Sequence, residues 1–327
     1  MKRAPCPARQ RGVAVITALL LAALAITIVA SLFWQQQVQV RSMENQRLHL
    51  QTKWILRGSI DFARFALRED GFDPRGRNAT FLDGIWATPL AETRLDDYIE
   101  RERVEGENFD ATLSGQITDA QARYNLTNLA SNRSVNPAQV AVFGRLLQNV
   151  HVDPGLAQAA AQAIADSQSA VSALVRPPPG TVTAAPAGQN GSQQMAFVAV
   201  DDLLAVPGFT PQALAALRDF IVVLPQATAV NVNTAPPEVL AALADGVSLA
   251  QAGALTVARK QAYFKSLGEF TAALGGKSVD AGVDLGVKSS YFLVFSRVRL
   301  DRAALDAQSL IYRDSSLKTS LVSIREN

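Results

Sequence analysis

Two aspartates, Asp280 and Asp284, alternate with Gly282 and Gly286 near the end of a long alanine-rich stretch. Carboxylates held apart by turn-forming glycines can offer oxygen ligands to a hard cation such as calcium, and Asp70, Asp73 and Asn78 make a second such set. Neither set has EF-hand spacing, and ordinary turn acids are the competing reading. Other chemistry lacks its parts. The 327-residue chain has one cysteine, Cys6, and two histidines, His49 and His151. A single thiol closes no intramolecular disulfide and builds no Cys-based metal cage, and two scattered imidazoles starve Ser-His-Asp catalysis and metal-dependent hydrolysis of bases and ligands. His49 and His151 read as surface or capping residues. Carboxylate-only chemistry such as glycoside hydrolysis stays open in principle, but no paired acids stand out.

Two motifs imitate phosphate binding. Thr271-Ala-Ala-Leu-Gly-Gly276-Lys277-Ser278 looks like a phosphate loop, yet Thr271 stands where its leading glycine would be and a helix precedes it, so it reads as a helix C-terminal turn. Leu204-Ala-Val-Pro207-Gly208-Phe-Thr-Pro-Gln-Ala213, with Val230–Ala235, resembles a helix-hairpin-helix module that grips DNA phosphates, and a membrane-anchored DNA-binding or uptake protein is the alternative function. Against it, Thr210 replaces the close-approach glycine, and residues 195–286 carry five Lys/Arg against eight Asp/Glu, a balance that repels a polyanion. The whole-chain charge of +2 agrees: four cations, Lys2, Arg3, Arg9 and Arg11, lie in the first 12 residues with no acid among them. No nucleic-acid partner is expected. With 48% hydrophobic and 18% charged residues, most of the chain should fold.

These residues have to be positioned by a chain that opens on a membrane signal. No ionisable side chain appears between Arg11 and Arg41, a run longer than the roughly 20 residues that cross a ~30 Å hydrocarbon layer as a helix. The basic leader favours an N-terminus left in the cytoplasm, with the rest on the far side. A cleaved secretory signal would turn polar sooner. A plain signal anchor is one reading; the other starts from Gly12, which sits between leader and apolar helix, where a peptidase at the cytoplasmic face could cut and leave Val13 first. From Gln35 to about Asp70 the helical pattern continues. Leu56, Ile60, Ala63 and Leu67 lie on a broad apolar face, and Arg57, Asp61, Arg64 and Arg68 form a narrow strip that reads as a solvated edge. A strand is expected over Phe109–Ile117, helices at Pro137–Val150, Gly155–Leu174, Val200–Leu224 and Pro236–Leu274, a Pro/Gly/Ser-rich loop at 176–194, and closing strands at Ser290–Leu300, Ser309–Arg313 and Leu317–Ile324. That order predicts an α+β domain interrupted by an all-α insertion, with distant segments sharing one antiparallel sheet.

The leader and helix resemble a class III, type IV pilin-like signal, and the layout as a whole resembles the type II secretion minor pseudopilin K family. The resemblance rests on Arg11-Gly12-Val13 through Leu21, the helix Trp54–Asp70, Ile117-Thr-Asp119 through Leu129, Asn231-Val-Asn233-Thr234-Ala235-Pro236 and Ser289-Ser-Tyr-Phe-Leu293. It implies a pilin-like fold with a long N-terminal transmembrane helix and a helix-hairpin-helix/SAM-like insertion. The parts are a leader 1–12, a membrane segment 13–34, the first part of the α+β domain 35–119, the insertion 120–286 and closing strands 287–327. It implies processing by prepilin peptidase after Gly12, N-methylation of Val13, anchoring in the bacterial inner membrane with the bulk periplasmic, and minor pseudopilins I and J and other pseudopilins as partners. The fifth mature residue is then Thr17, where most pilin-like subunits carry glutamate, and the resemblance places such a chain at the filament tip. An assembly protein is expected, not an enzyme; no cofactor is required, and calcium at Asp280 and Asp284 is the metal candidate.

Overall fold

The computed structural model describes residues 11–95, 110–174 and 196–326. The first ten residues of the leader and the expected loop 176–194 lie outside the described residues. Helix α1 runs unbroken over Arg11–Phe72, 62 residues without a proline. It stops where Asp73 turns back to cap the N–H of Arg75 (2.8 Å) just after Pro74. A loop and a short 3-10 turn, Ile85–Ala87, lead into strands β1 (Leu90–Arg94) and β2 (Ala111–Asp119).

The chain then leaves the sheet. Between β2 and the next long strand lie β3 (Tyr124–Asn125), β4 (Ala130–Ser131), β5 (Ser134–Val135), α2 (Pro137–Asn149), α3 (Leu156–Leu174), α4 (Pro211–Leu217), β6 (Ile221–Val222), β7 (Val230–Asn231), α5 (Pro237–Leu243), α6 (Leu249–Gln261), α7 (Leu267–Ala273) and β8 (Leu285–Gly286). The two-residue strands form small pairs, β3 with β6, β4 with β5 and β7 with β8, inside a block that is otherwise helical. Its own core gathers Phe143, Leu146, Leu147, Ala160, Ile164, Leu217, Leu240 and Leu243. Strands β9 (Tyr291–Leu300), β10 (Ala303–Arg313) and β11 (Thr319–Glu326) close the fold.

Two expected helices divide. Val200–Leu224 becomes a 3-10 turn at Val200–Ala205, α4 and β6, because Pro207 is followed by Gly208 at φ +97°, a conformation that side chains with a Cβ rarely adopt. Pro236–Leu274 becomes α5, α6 and α7, since Ala244 and Ala262 are extended and Ser248 and Ser266 cap fresh helices with their hydroxyls.

The sheet order is β1-β2-β9-β10-β11, antiparallel throughout. Ala111 pairs with Leu300 and Asp119 with Phe292, so strands on either side of the helical block are immediate neighbours. Alternation along β9 assigns its faces. Phe292, Val294 and Val298, with Leu305, Ala307 and Ile311 of β10, bury Leu56, Ile60, Ala63 and Leu67 of α1 together with Trp86. Tyr291 and Leu293, with Leu310 and Tyr312, turn the other way onto Ala120, Val222 and Leu224 of the helical block. One sheet therefore glues α1 to one face and the block to part of the other, each fully buried large side chain contributing about 1.5–3 kcal/mol of transfer free energy. The loop before β1 is equally tight: a Cβ on Gly84 would stand 2.6 Å from Asp70 Oδ1 and 2.7 Å from Trp86 Nε1. Gly84→Ala is expected to lower stability by about 1–3 kcal/mol through overpacking, read by thermal unfolding; an unchanged melting temperature would show that the loop gives way freely.

Candidate functional site

Among the described residues, nothing packs on the first half of α1. From Val15 to Phe33 its large apolar residues are half or more exposed on every side, and the helix is long and apolar enough to cross a membrane. Gly12 and Val13 both sit in the first turn of α1, and the Val13 side chain lies outside what is described. Thr17 is on the described helix, and its hydroxyl donates to Ala14 O at 3.0 Å, a bond that lets a polar side chain sit in an apolar rod.

The second half of α1 is two-sided. Opposite Leu56, Ile60, Ala63 and Leu67, a stripe of Met43, Leu50, Trp54, Phe62, Phe65 and Phe72 faces away from the sheet; Trp54 is 71% exposed and Phe65 58%. Contiguous exposed aromatics on a folded chain mark a surface made to be covered.

Beneath the helical block, the segments singled out in the sequence meet at one buried cluster. Asp119, at the end of β2, is wholly buried. Its Oδ2 accepts from Ser289 Oγ (2.5 Å), Thr234 Oγ1 (2.6 Å) and Asn231 Nδ2 (3.0 Å), and its Oδ1 accepts from the Gln121 N–H (2.8 Å). Asn231 Nδ2 also reaches Thr80 O at 3.0 Å, so the loop after α1 joins the cluster. Asn233 donates to Phe264 O (2.9 Å) and accepts the Phe264 N–H (2.8 Å), and Arg259 donates to Val232 O (2.7 Å). Upstream, Asn125 and Asn128 accept the N–H groups of Leu224 (3.1 Å) and Thr228 (2.9 Å), fixing the chain between β6 and β7. Asparagine and aspartate recur here because each supplies the donors or acceptors that irregular backbone leaves unmet. Burial pushes the Asp119 carboxyl above the usual carboxylate range, against hydrogen bonds that favour its charged form.

A second buried acid adjoins it. Asp70 Oδ2 lies 3.1 Å from Arg313 Nη1; that same nitrogen donates to Leu67 O at 2.6 Å, and the guanidinium sits 4.8 Å above the ring of Phe292. Burial raises the Asp70 pKa and Arg313 opposes the rise. Sequence reasoning offered Asp70 as a cation ligand or an ordinary turn acid and gave Arg313 no role beyond ending a strand; an arginine at the end of an apolar strand was the available signal. Asp73 caps the turn after α1 instead of joining Asp70.

Asp280 faces Arg145, whose Nε donates to Ala242 O at 2.8 Å, so this pair ties the turn before β8 to α2 and α5. Asp284 contributes its backbone oxygen to the Val230 N–H at 3.0 Å in the β7–β8 pair. A cation bound at Asp280 would have to displace a guanidinium, and among the described residues no three His, Cys, Asp or Glu side chains converge. The Gly275–Gly276 turn follows α7, and Lys277 Nζ is held by Gln251 Oε1 at 2.8 Å. His151 occupies the positive-φ position after α2 (φ 61°).

These observations define a class: a pilin-like α+β protein, suited to membrane anchoring by its N-terminal helix. Models of the type II secretion system protein K family match residues 122–226 and 230–288. Type II secretion system protein K of Pseudomonas aeruginosa is 31% identical over 311 residues, covering 89% of this chain and 85% of that protein, and the Aeromonas hydrophila protein K is 26% identical with 96% of both covered. The crystal structure titled the GspK-GspI-GspJ complex from the enterotoxigenic Escherichia coli Type 2 Secretion System contains a chain of the same fold, with TM-score 0.64 and 19% identity over 87% of this chain and 99% of that one. The chain belongs to the type II secretion system protein K family.

Asp119→Ala would remove the shared acceptor of four hydrogen bonds and is expected to cost about 3 kcal/mol. Because the folded-state pKa is raised, the folded chain takes up this proton at higher pH than the unfolded one, so ionised Asp119 lowers stability at neutral pH and the deficit is relieved as pH falls toward the unfolded value near 3.8. The stability gap between wild type and Asp119→Ala should therefore widen as the pH of urea unfolding is lowered from neutral toward 3.8. A gap that narrows would mean that the four hydrogen bonds outweigh burial.

Proposed function

We propose that this chain is a minor pseudopilin at the tip of the type II secretion pseudopilus. It is made as an inner-membrane precursor with its N-terminus in the cytoplasm and its bulk in the periplasm. Prepilin peptidase trims it after Gly12, Val13 is methylated, and the subunit assembles with minor pseudopilins I and J to start and cap a filament that helps move folded proteins through the outer membrane. A relative of the same fold occurs in a complex with GspI and GspJ, which supports those partners. The exposed stripe of α1, from Met43 to Phe72, supplies a contact surface of the kind such helices can share.

The observation that carries the tip position is Thr17. In a bundle of apolar helices an unpaired ammonium is costly, and a carboxylate from a neighbour at the fifth residue offsets it. This chain has a hydroxyl there, committed to Ala14 O. It can offer its own Val13 ammonium to an acid on a subunit below, but it has no acid for a subunit above. The helical block, inserted between β2 and β9, adds bulk against stacking on top. The membrane-anchored DNA-binding alternative loses support, because Gly208 is packed against Leu156 and Thr210 is spent as the cap of α4.

Gly12→Glu is expected to leave the full-length precursor in the membrane, where mass spectrometry of the wild-type N-terminus finds methylated Val13. Normal trimming of Gly12→Glu, or a wild-type chain that still begins at Met1, would contradict the pilin-like route.

A further inference from the structure

The cationic strip of α1 stands over an open sheet edge. Three contacts fix the arrangement: Lys53 Nζ lies 3.2 Å from Glu326 Oε2, Arg64 Nη2 donates to Thr319 O at 3.0 Å, and Gly71 packs on Leu317. Helix α1 thus runs antiparallel to β11, and at 100° per residue Arg57 and Arg68 fall on the flank that Lys53, Arg64 and Gly71 define. Strand β11 ends the sheet order, so its outer side meets no strand among the described residues and every second residue leaves its N–H and C=O without a ladder partner. Leu321 and Ile324 oppose Ile311 and Ser309 on the α1 side, and they are 39% and 44% exposed. The result is a step whose floor is a strand edge with two apolar side chains and whose wall is basic. Lys53, Arg57, Arg64 and Arg68 face two acids, Asp61, bound to Arg64 at 2.8 Å, and Glu326. Arg57 has no carboxylate partner among the described residues, so the wall keeps a positive surplus.

We propose that the outer edge of β11 takes up an extended acidic segment of another protein as an added strand. The unpaired backbone groups specify an extended chain, because a helix has already used its own. The wall specifies its charge: alternate side chains of the added strand point toward α1, where carboxylates answer Arg57 and its neighbours and lysines are repelled. This goes beyond the tip assignment and does not depend on it, since a protein K at any filament position would carry the same edge.

The test uses the full chain in detergent micelles and three fluorescent peptides of about eight residues: one alternating threonine with glutamate, one alternating threonine with lysine, and the glutamate peptide with alternate backbone nitrogens methylated. The glutamate peptide should bind and slow amide exchange in β11, and Arg57→Glu should weaken it about tenfold. Arg57 makes no ion pair or hydrogen bond through its side chain among the described residues, so that variant should melt like wild type, and a melting temperature that falls with the loss of binding would count against the proposal. The lysine and methylated peptides should fail. Equal binding of the two charge types, undiminished binding of the methylated peptide, exchange protection confined to other strands, or no binding at millimolar peptide would overturn the proposal. So would sedimentation showing that a second copy of the chain occupies β11.

Discussion

One helix must satisfy two surroundings, and the rest of the molecule follows from that. Helix α1 is continuous from Arg11 to Phe72, so what happens to its apolar first half is mechanically joined to the folded half. Residues 15–33 offer lipid or other helices the same greasy surface all round, and none of the described residues covers them. Beyond Arg41 the helix becomes selective. One side is buried in β9 and β10, the opposite side keeps aromatic residues exposed, and the flank between carries arginines. A rod of this kind transmits position: wherever the membrane or filament holds its lower end, the sheet and the helical block are carried with it.

The block is seated by polar groups as much as by apolar contact. Asp119 closes β2, and the donors that reach it come from Gln121 two residues on and from Asn231, Thr234 and Ser289 more than 100 residues away. A carboxylate buried with four donors is a costly way to join two parts, but it is selective: a shifted register would take the shared acceptor from all of them. Asp70 and Arg313 repeat the logic on the helix side, tying the end of α1 to the last residue of β10.

Much of this was legible in the sequence for physical reasons. The apolar helix was plain because of the length of its uncharged run, and the closing strands were plain because aromatic and β-branched residues crowd them between short polar turns. The segments around Asp119, Asn231 and Ser289 stood out as motifs, but their meeting could not be read, since a contact between residues 119 and 289 leaves no local trace. Gly208 was visible as part of a hairpin; the helix expected across it was not formed because backbone conformation overrode an apolar pattern. Asp280 looked like a cation ligand because its partner, Arg145, lies 135 residues away. The strip Arg57 to Arg68 was read as solvated, and its position over β11 emerged only when the chain's last strand was placed beside the helix.

The claim that organises these parts is that the subunit can be held from below through its N-terminus but offers no acid at Thr17 to anything above. Electron microscopy of purified pseudopili with this chain gold-labelled through its helical block tests it most directly. Label at one end of each filament, one subunit per fibre, is the expected result. Label spaced along the shaft would contradict the account.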